Sequence, residues 1–344
     1  MGVQLTPIIR PIHRVGLKGV RGKTLAVDAL NAIYQFLALI RLPGGEPFRD
    51  ARGRVTSHLI GLSTRYTRLM QEYDCRFIFV FDGPPHPLKA RELERRRRQR
   101  ERSLAEWREA LREGDLAKAF SKAVTTARVD DYIISSSKRL LELMGVPFID
   151  APHDAEAQAA YLVERGDAWA ANTLDWDYLL YGGARMVRYI TLTGFEWLPS
   201  RGVARRLSPE LVVLEEVLRS LGVTRRQLVE IAILVGTDYN EGVRGIGPRR
   251  ALKLIKAYGS IERLPRHIRE ELPDNWRAVE EVFMNPPVRR DYKIVFRDPD
   301  LEGLYSFLVE EHSFSPRRAR LVVERLEKVY RRWRSQSDLS GFLE

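Results

Sequence analysis

The run Phe77-Ile78-Phe79-Val80-Phe81-Asp82 is five apolar residues that stop on a carboxylate. A short, unbroken apolar run of this kind predicts a strand buried on both faces, as in the parallel sheets of α/β proteins. Upstream, Thr24-Leu25-Ala26-Val27 has the same character and ends at Asp28. Downstream, Val146-Pro147-Phe148-Ile149 is a weaker third run, followed by a loop and a helix opened by Asp154. Ala168-Trp169-Ala170-Ala171 heads towards Asp175 and Asp177, and Met186-Val187-Arg188-Tyr189-Ile190 offers a fifth run. Helical patterns separate these segments, which predicts an α/β fold with a mostly parallel central sheet covered on both sides.

Ligands of open α/β sheets bind at the carboxyl ends of the strands. Asp28, Asp82, Asp175 and Asp177 all fall just past such ends. Asp154 stands at an N-cap position with Glu156 in the first turn, which aims both around one helix start. A single acid after a strand is ordinarily a turn residue or a cap. Several separate segments delivering acids to one sheet edge imply a shared site. Clustered carboxylates need counter-charge, and hard divalent cations with oxygen ligands supply it. Mg²⁺ suits because it takes few protein ligands and keeps waters. Two such ions, roughly 3.5–4 Å apart, can drive phosphodiester hydrolysis. The six histidines are scattered and none is assigned a metal role.

Between the second and third runs, Lys89 to Arg102 carries eight cations against three acids. Leu93, Leu104, Trp107 and Leu111 give it sparse helical spacing until Gly114-Asp115. Such a run is ordinarily a solvated helix. Because it leaves seven residues after Asp82, a basic helical gate over the acids is expected. The chain has 344 residues and a formal net charge of +11, which suits a polyanionic partner. Its lone Cys75 can form no internal disulfide, and no stretch is long and apolar enough to span a membrane. A soluble, intracellular protein is expected.

Gly236-Thr237-Asp238-Tyr239 and Gly245-Ile246-Gly247-Pro248-Arg249-Arg250 lie between two apolar helical patterns. They predict a tight hairpin whose backbone N–H groups and following helix start could hold phosphate without reading sequence. Asp238 could cap that hairpin or add a ligand to the acids. The last nine residues, 336–344, read alone as a frayed tail that could form one short apolar turn.

Taken together, Val27-Asp28-Ala29-Leu30-Asn31, Val80-Phe81-Asp82-Gly83-Pro84-Pro85, Glu156-Ala157-Gln158-Ala159-Ala160, Asp175-Trp176-Asp177 and the two glycine-bearing segments resemble the archaeal flap endonucleases, in order and spacing, essentially end to end. The resemblance implies a PIN-like nuclease core spanning 1–335, a helical arch at about 86–131, a helix–two-turn–helix element at about 228–262, and a tail, 336–344, that binds the sliding clamp (PCNA). It implies a structure-specific 5′ flap endonuclease with 5′–3′ exonuclease activity, acting in replication and repair on DNA with a flap or nick. It implies two Mg²⁺ ions, with Mn²⁺ able to substitute, held by Asp28, Asp82, Asp154, Glu156, Asp175, Asp177 and Asp238. Lys89 and Arg96 match the basic pair on the scissile phosphate. Tyr34 matches an aromatic that stacks on a base, with core packing as its ordinary alternative. Thr56 and Phe314 match a pocket for a 3′ flap. Gly245, Ile246 and Gly247, with Arg249 beside them, match the hairpin that holds K⁺ against DNA phosphates. Gln336, Leu339, Phe342 and Leu343 match the clamp-binding peptide, Gly2 is expected near the active site, and a cytoplasmic, nucleoid-associated monomer is expected. Departures are Asp154 where the family usually has Glu, His312 where some relatives carry a cation, and Phe342-Leu343 in place of two aromatics.

The resemblance leaves rivals: a sister nuclease for bubbles, gaps or four-way junctions, a non-catalytic DNA-binding clamp adaptor, and a haloacid-dehalogenase-like phosphatase. The last would explain Asp175-Trp176-Asp177 but gives the arch and hairpin no role.

Overall fold

A computed structural model of the chain describes residues 2–192, 194–198 and 203–340. Its strands are β1 (His13–Arg14), β2 (Thr24–Asp28), β3 (Arg76–Phe81), β4 (Phe148–Asp150), β5 (Ala170–Asn172), β6 (Arg185–Arg188), β7 (Gly194–Leu198), β8 (Val203–Leu207), β9 (Glu210–Val213), β10 (Gly236–Thr237) and β11 (Asn240–Glu241). Seven of them form one sheet in the order β1-β9-β6-β5-β2-β3-β4. The five expected runs are its parallel part, from β6 to β4. The antiparallel edge formed by β9 and β1 was not expected.

Alternation along the parallel strands divides the core between the two faces. Ala26, Ile78 and Val80 pack with the helices Ala155–Glu164 and Arg225–Val235. Leu25, Val27, Phe77, Phe79 and Phe81 pack with Ala29–Leu39 and the C-terminal helix Pro316–Ser340. Both faces are covered, which is why the runs read as continuous apolar sequence. From β2 the chain crosses to β3 and β4 on one side, and returns to β5 and β6 on the other. The β2/β5 boundary is therefore the topological switch point, where an open α/β sheet leaves a crevice.

The basic insertion forms the helices Ala90–Arg112 and Leu116–Ala123, turning at Gly114. Much of its charge is matched along the helix: Glu92 pairs with Arg95 and Arg96, and Glu94 with Arg97 and Arg98. Its far end is footed on the loop at 42–46, where Trp107 Nε1 donates to the Gly44 carbonyl at 3.0 Å. The helix–two-turn–helix element consists of Arg225–Val235, the β10–β11 hairpin and Pro248–Tyr258. Its first helix starts a little before the expected boundary because Thr224 and Gln227 form a capping box. The final helix continues through Gln336 and Leu339 to Ser340, so no break marks residue 335. Phe342 and Leu343 lie outside the described residues.

Candidate metal centre

Strand register brings the acids level. Asp28 is opposite Val80, Val27 is opposite Asn172, and the chain therefore leaves β3 and β5 beside the end of β2. Asp28 caps the helix it precedes: Oδ1 accepts from Asn31 N at 2.9 Å, and Oδ2 accepts from Thr173 Oγ1 at 3.2 Å. Asp177 Oδ1 accepts from Val3 N at 2.9 Å, which draws the N-terminal segment across the site. Asp175 Oδ1 accepts from Asp177 N at 3.2 Å. Asp154 occupies the expected N-cap position but its side chain does not cap. Asp82 Oδ1 does so in its place, accepting from Ala155 N at 2.6 Å. That bond brings β3 to the helix carrying Glu156 and frees Asp154 to turn towards Lys89, whose Nζ lies 2.5 Å from Oδ1. Asp238 Oδ2, in the β10–β11 turn, is met by Arg96 Nη2 at 2.5 Å, and the same guanidinium reaches Glu92 at 2.8 Å.

The acids share one electrostatic field. Burial pushes the Asp28 carboxyl up to about 6, with Asp175 adding to the rise. Burial, Asp28 and Asp154 push Asp82 up to about 7. Glu156 is driven well above the ordinary range by burial and by Asp28, Asp82, Asp175 and Asp154. Asp177 is driven up by burial, Asp175 and Asp238. Asp154 alone goes the other way: burial would raise it, but Lys89 and two tyrosine hydroxyls hold it below the ordinary range. Ionised together, these groups repel, and among the described residues Lys89 and Arg96 bring opposite charge to the pocket.

This donor set, all carboxylate oxygen with its repulsion largely uncompensated, fits hard divalent cations. The cage is not preformed. Among the described residues no three acid, imidazole or thiol groups already stand in metal-holding array.

Gly2 lies where the sequence places it, against the acids. A Cβ there would fall 1.7 Å from Asp175 Oδ1. Gly2→Ala must therefore displace Asp175 or the terminal segment. Cleavage is expected to fall by roughly ten- to a hundredfold with flap binding intact, read by single-turnover kinetics beside fluorescence anisotropy.

Tyr34 is 39% exposed, too open for a core residue and free to stack. Thr56 and Phe314 are both buried, on segments joined where Ala51 N donates to Ser313 Oγ at 3.0 Å. His312 is not a surface stand-in for a cation. It is 3% exposed, with Nδ1 on the Phe307 carbonyl and its ring stacked on Tyr132, and burial lowers its basicity. Gly245, Ile246 and Gly247 lie outside the β10–β11 hairpin, in the loop from β11 to the next helix: Gly245 takes φ +74°, Ile246 is buried as an anchor, and Gly247 precedes the helix that Pro248 opens. Arg249 is exposed on the first turn of that helix. No sequence signal marks Tyr181, Thr173 or Glu92, whose roles depend on tertiary placement.

Known proteins agree with this architecture. The XPG N-terminal domain model matches residues 1–103 and the XPG I-region model residues 145–238. Flap endonuclease 1 of Hyperthermus butylicus is 45% identical over 96% of this chain and 95% of its own length. That of Pyrococcus furiosus is 46% identical over 96% of both. Among solved structures, flap endonuclease-1 from Methanococcus jannaschii superposes with a TM-score of 0.76 at 34% identity, covering 96% of this chain and 100% of the other. The catalytic core of Rad2 in complex with DNA substrate gives 0.67 at 25% identity, covering 94% and 97%. With identity of this level over nearly the whole chain, the chain belongs to the flap endonuclease family.

Proposed function

We propose that this protein is a structure-specific 5′ flap endonuclease, with 5′–3′ exonuclease activity, that hydrolyses phosphodiesters at DNA junctions in replication and repair. One observation supports this above the others. Acids from separated segments share one electrostatic field, and the arch brings the cations Lys89 and Arg96 to it.

Asp28, Asp82, Asp154, Glu156, Asp175, Asp177 and Asp238 would hold two Mg²⁺ ions. When bound, these supply a nucleophilic water and charge stabilisation at the leaving oxygen. The chain does the rest. Lys89 and Arg96 orient the scissile phosphate and offset charge that develops on it. Tyr34 receives the adjacent base by stacking, which any base permits. Thr56 and Phe314 border the 3′-flap pocket. The backbone of Gly245, Ile246 and Gly247, with Arg249, would hold duplex phosphates, and the same backbone would hold a K⁺ ion that supplies counter-charge to them. Contacts of this kind read shape and charge, so sequence preference is slight. The helix end at Gln336 and Leu339, with Phe342 and Leu343 beyond it, is the segment for a sliding clamp. The working form is an intracellular monomer on DNA; no helix among the described residues is long and apolar enough to cross a membrane.

The test is cleavage of double-flap, bubble, four-way-junction and blunt duplex DNA, in Mg²⁺ and in EDTA. Mg²⁺-dependent cutting fastest on the double flap is the expected result. Faster cutting of the bubble or four-way junction would move the protein to a sister activity, and equal cutting in EDTA would refute the metal centre.

A further inference from the structure

Asp154 differs from its neighbours in having both oxygens engaged by side chains. Oδ1 faces Lys89 Nζ at 2.5 Å. Oδ2 accepts from Tyr181 Oη at 2.6 Å and from Tyr239 Oη, and the two hydroxyls lie 2.6 Å from each other. Three oxygens thus share two phenolic hydrogens, and Oδ2 receives at least one of them in any arrangement that satisfies both hydroxyls.

The two tyrosines reach this oxygen from different parts of the fold. Tyr181 closes the short helix Asp177–Leu180, which begins at a candidate ligand. Tyr239 sits in the β10–β11 turn directly after Asp238, the partner of Arg96. Both are buried, and both rings rest on Phe283, at centroid distances of 4.9 and 5.3 Å. Lys89 Nζ is 5.0 Å from the Tyr239 ring centre, and His86 meets the same ring edge-on at 5.7 Å. Rings packed this tightly leave their hydroxyls little freedom, and a short Asp side chain has only two torsions to restrain.

We infer that Tyr181 and Tyr239 are positioning residues that pin Asp154 through Oδ2 and thereby present Oδ1 alone to whatever cation occupies the pocket. The inference rests on the metal-centre reading above. Outer hydrogen bonds of this type set the orientation and basicity of a ligating carboxylate. Because Tyr239 belongs to the hairpin, the pin also ties the DNA-binding element to the acids. Asp238 and Tyr239, adjacent in sequence, hold one arch cation each, Arg96 directly and Lys89 through Asp154 and the ring face.

The experiment uses the full chain and three variants, Tyr181→Phe, Tyr239→Phe and the double substitution, which remove hydroxyls and keep the rings. Mn²⁺ binding without DNA is followed by the free-ion electron paramagnetic resonance signal, and melting temperature is recorded alongside. Each single variant is expected to bind Mn²⁺ about tenfold more weakly. The Mg²⁺ concentration for half-maximal cleavage should rise in parallel, with kcat at saturating Mg²⁺ nearly unchanged. If the wild type binds no Mn²⁺, the metal centre itself is refuted. If the wild type binds and all three variants bind equally well, the pin is overturned, whether or not their melting temperatures fall.

Discussion

Glu156→Gln is expected to abolish most cleavage while making the metal-free protein more stable. Glu156 is enclosed with Asp28, Asp82, Asp175 and Asp154, and its carboxyl is driven well above the ordinary range by burial and by those four charges. Its ionised form is therefore less favourable in the folded chain than in the unfolded one. Between the unfolded and folded values the native state binds more protons, so stability falls as pH rises through that window. The cost is fully present above it. Asp28, raised from 3.8 to about 6, adds a cost of the same sign, roughly 3 kcal/mol. Metal-free wild type should thus melt progressively lower from about pH 4 to beyond pH 7, and Mg²⁺ should restore it. Gln keeps the shape and removes the charge. In EDTA at pH 8 its melting temperature should exceed that of wild type by a few degrees, with a flatter pH profile. In Mg²⁺ it should gain less, and single-turnover cleavage should drop by at least about a hundredfold, because charge stabilisation worth several kcal/mol depends on the ligand set. An unchanged or lower melting temperature in EDTA would show that the acids do not repel as described.

Much of this site is legible in the sequence because of where parallel strands end. A strand buried on both faces has no polar alternation, so β2 and β3 stand out, and the residue after the run lies at the crevice. The edge strands are less legible for the opposite reason. β9 starts with Glu210, a buried acid paired with Arg188 at 3.4 Å on β6, and no local pattern predicts a partner in another strand. The exchange of caps between Asp154 and Asp82 is equally hidden. Either acid satisfies a helix N-terminus, and the sheet register decides which one arrives. In sequence, Tyr181 and Tyr239 are indistinguishable from core aromatics, and their rings are indeed core. Only the approach of two elements to one carboxylate oxygen gives the hydroxyls a task. His312, named in the sequence only for standing where some relatives carry a cation, is a polar residue that the fold encloses beside Tyr132 and Phe307.

Lys89→Ala is expected to move activity in the same direction as Glu156→Gln and stability in the opposite one. The Lys89 side chain is 19% exposed and that of Asp154 9%, so their ion pair is poorly screened. The Asp154 carboxyl is held below its ordinary value of 3.8, and its contribution is therefore present above that pH and lost on acidification. Lys89 is raised above 10.5 by Asp154, Tyr239 and Glu156 against the cost of burial, so its contribution is present below that value and lost in alkali. Between those limits the pair stabilises the fold, and removing Lys89 leaves the buried Asp154 carboxylate without its counter-charge, its tyrosine hydrogen bonds remaining, at a cost of about 3 kcal/mol. That loss should be largest in EDTA and shrink in Mg²⁺, as the added cation replaces the missing charge. Cleavage should fall about a hundred- to a thousandfold for loss of a preorganised cation at the phosphate, while anisotropy reports nearly unchanged flap affinity. A variant that merely damaged packing would lower the melting temperature equally in EDTA and Mg²⁺, and Glu156→Gln would share its sign. Opposite signs without metal, converging when Mg²⁺ is added, require that the pocket carry excess negative charge and that a cation complete it. No neutral cleft at the end of a sheet would behave that way.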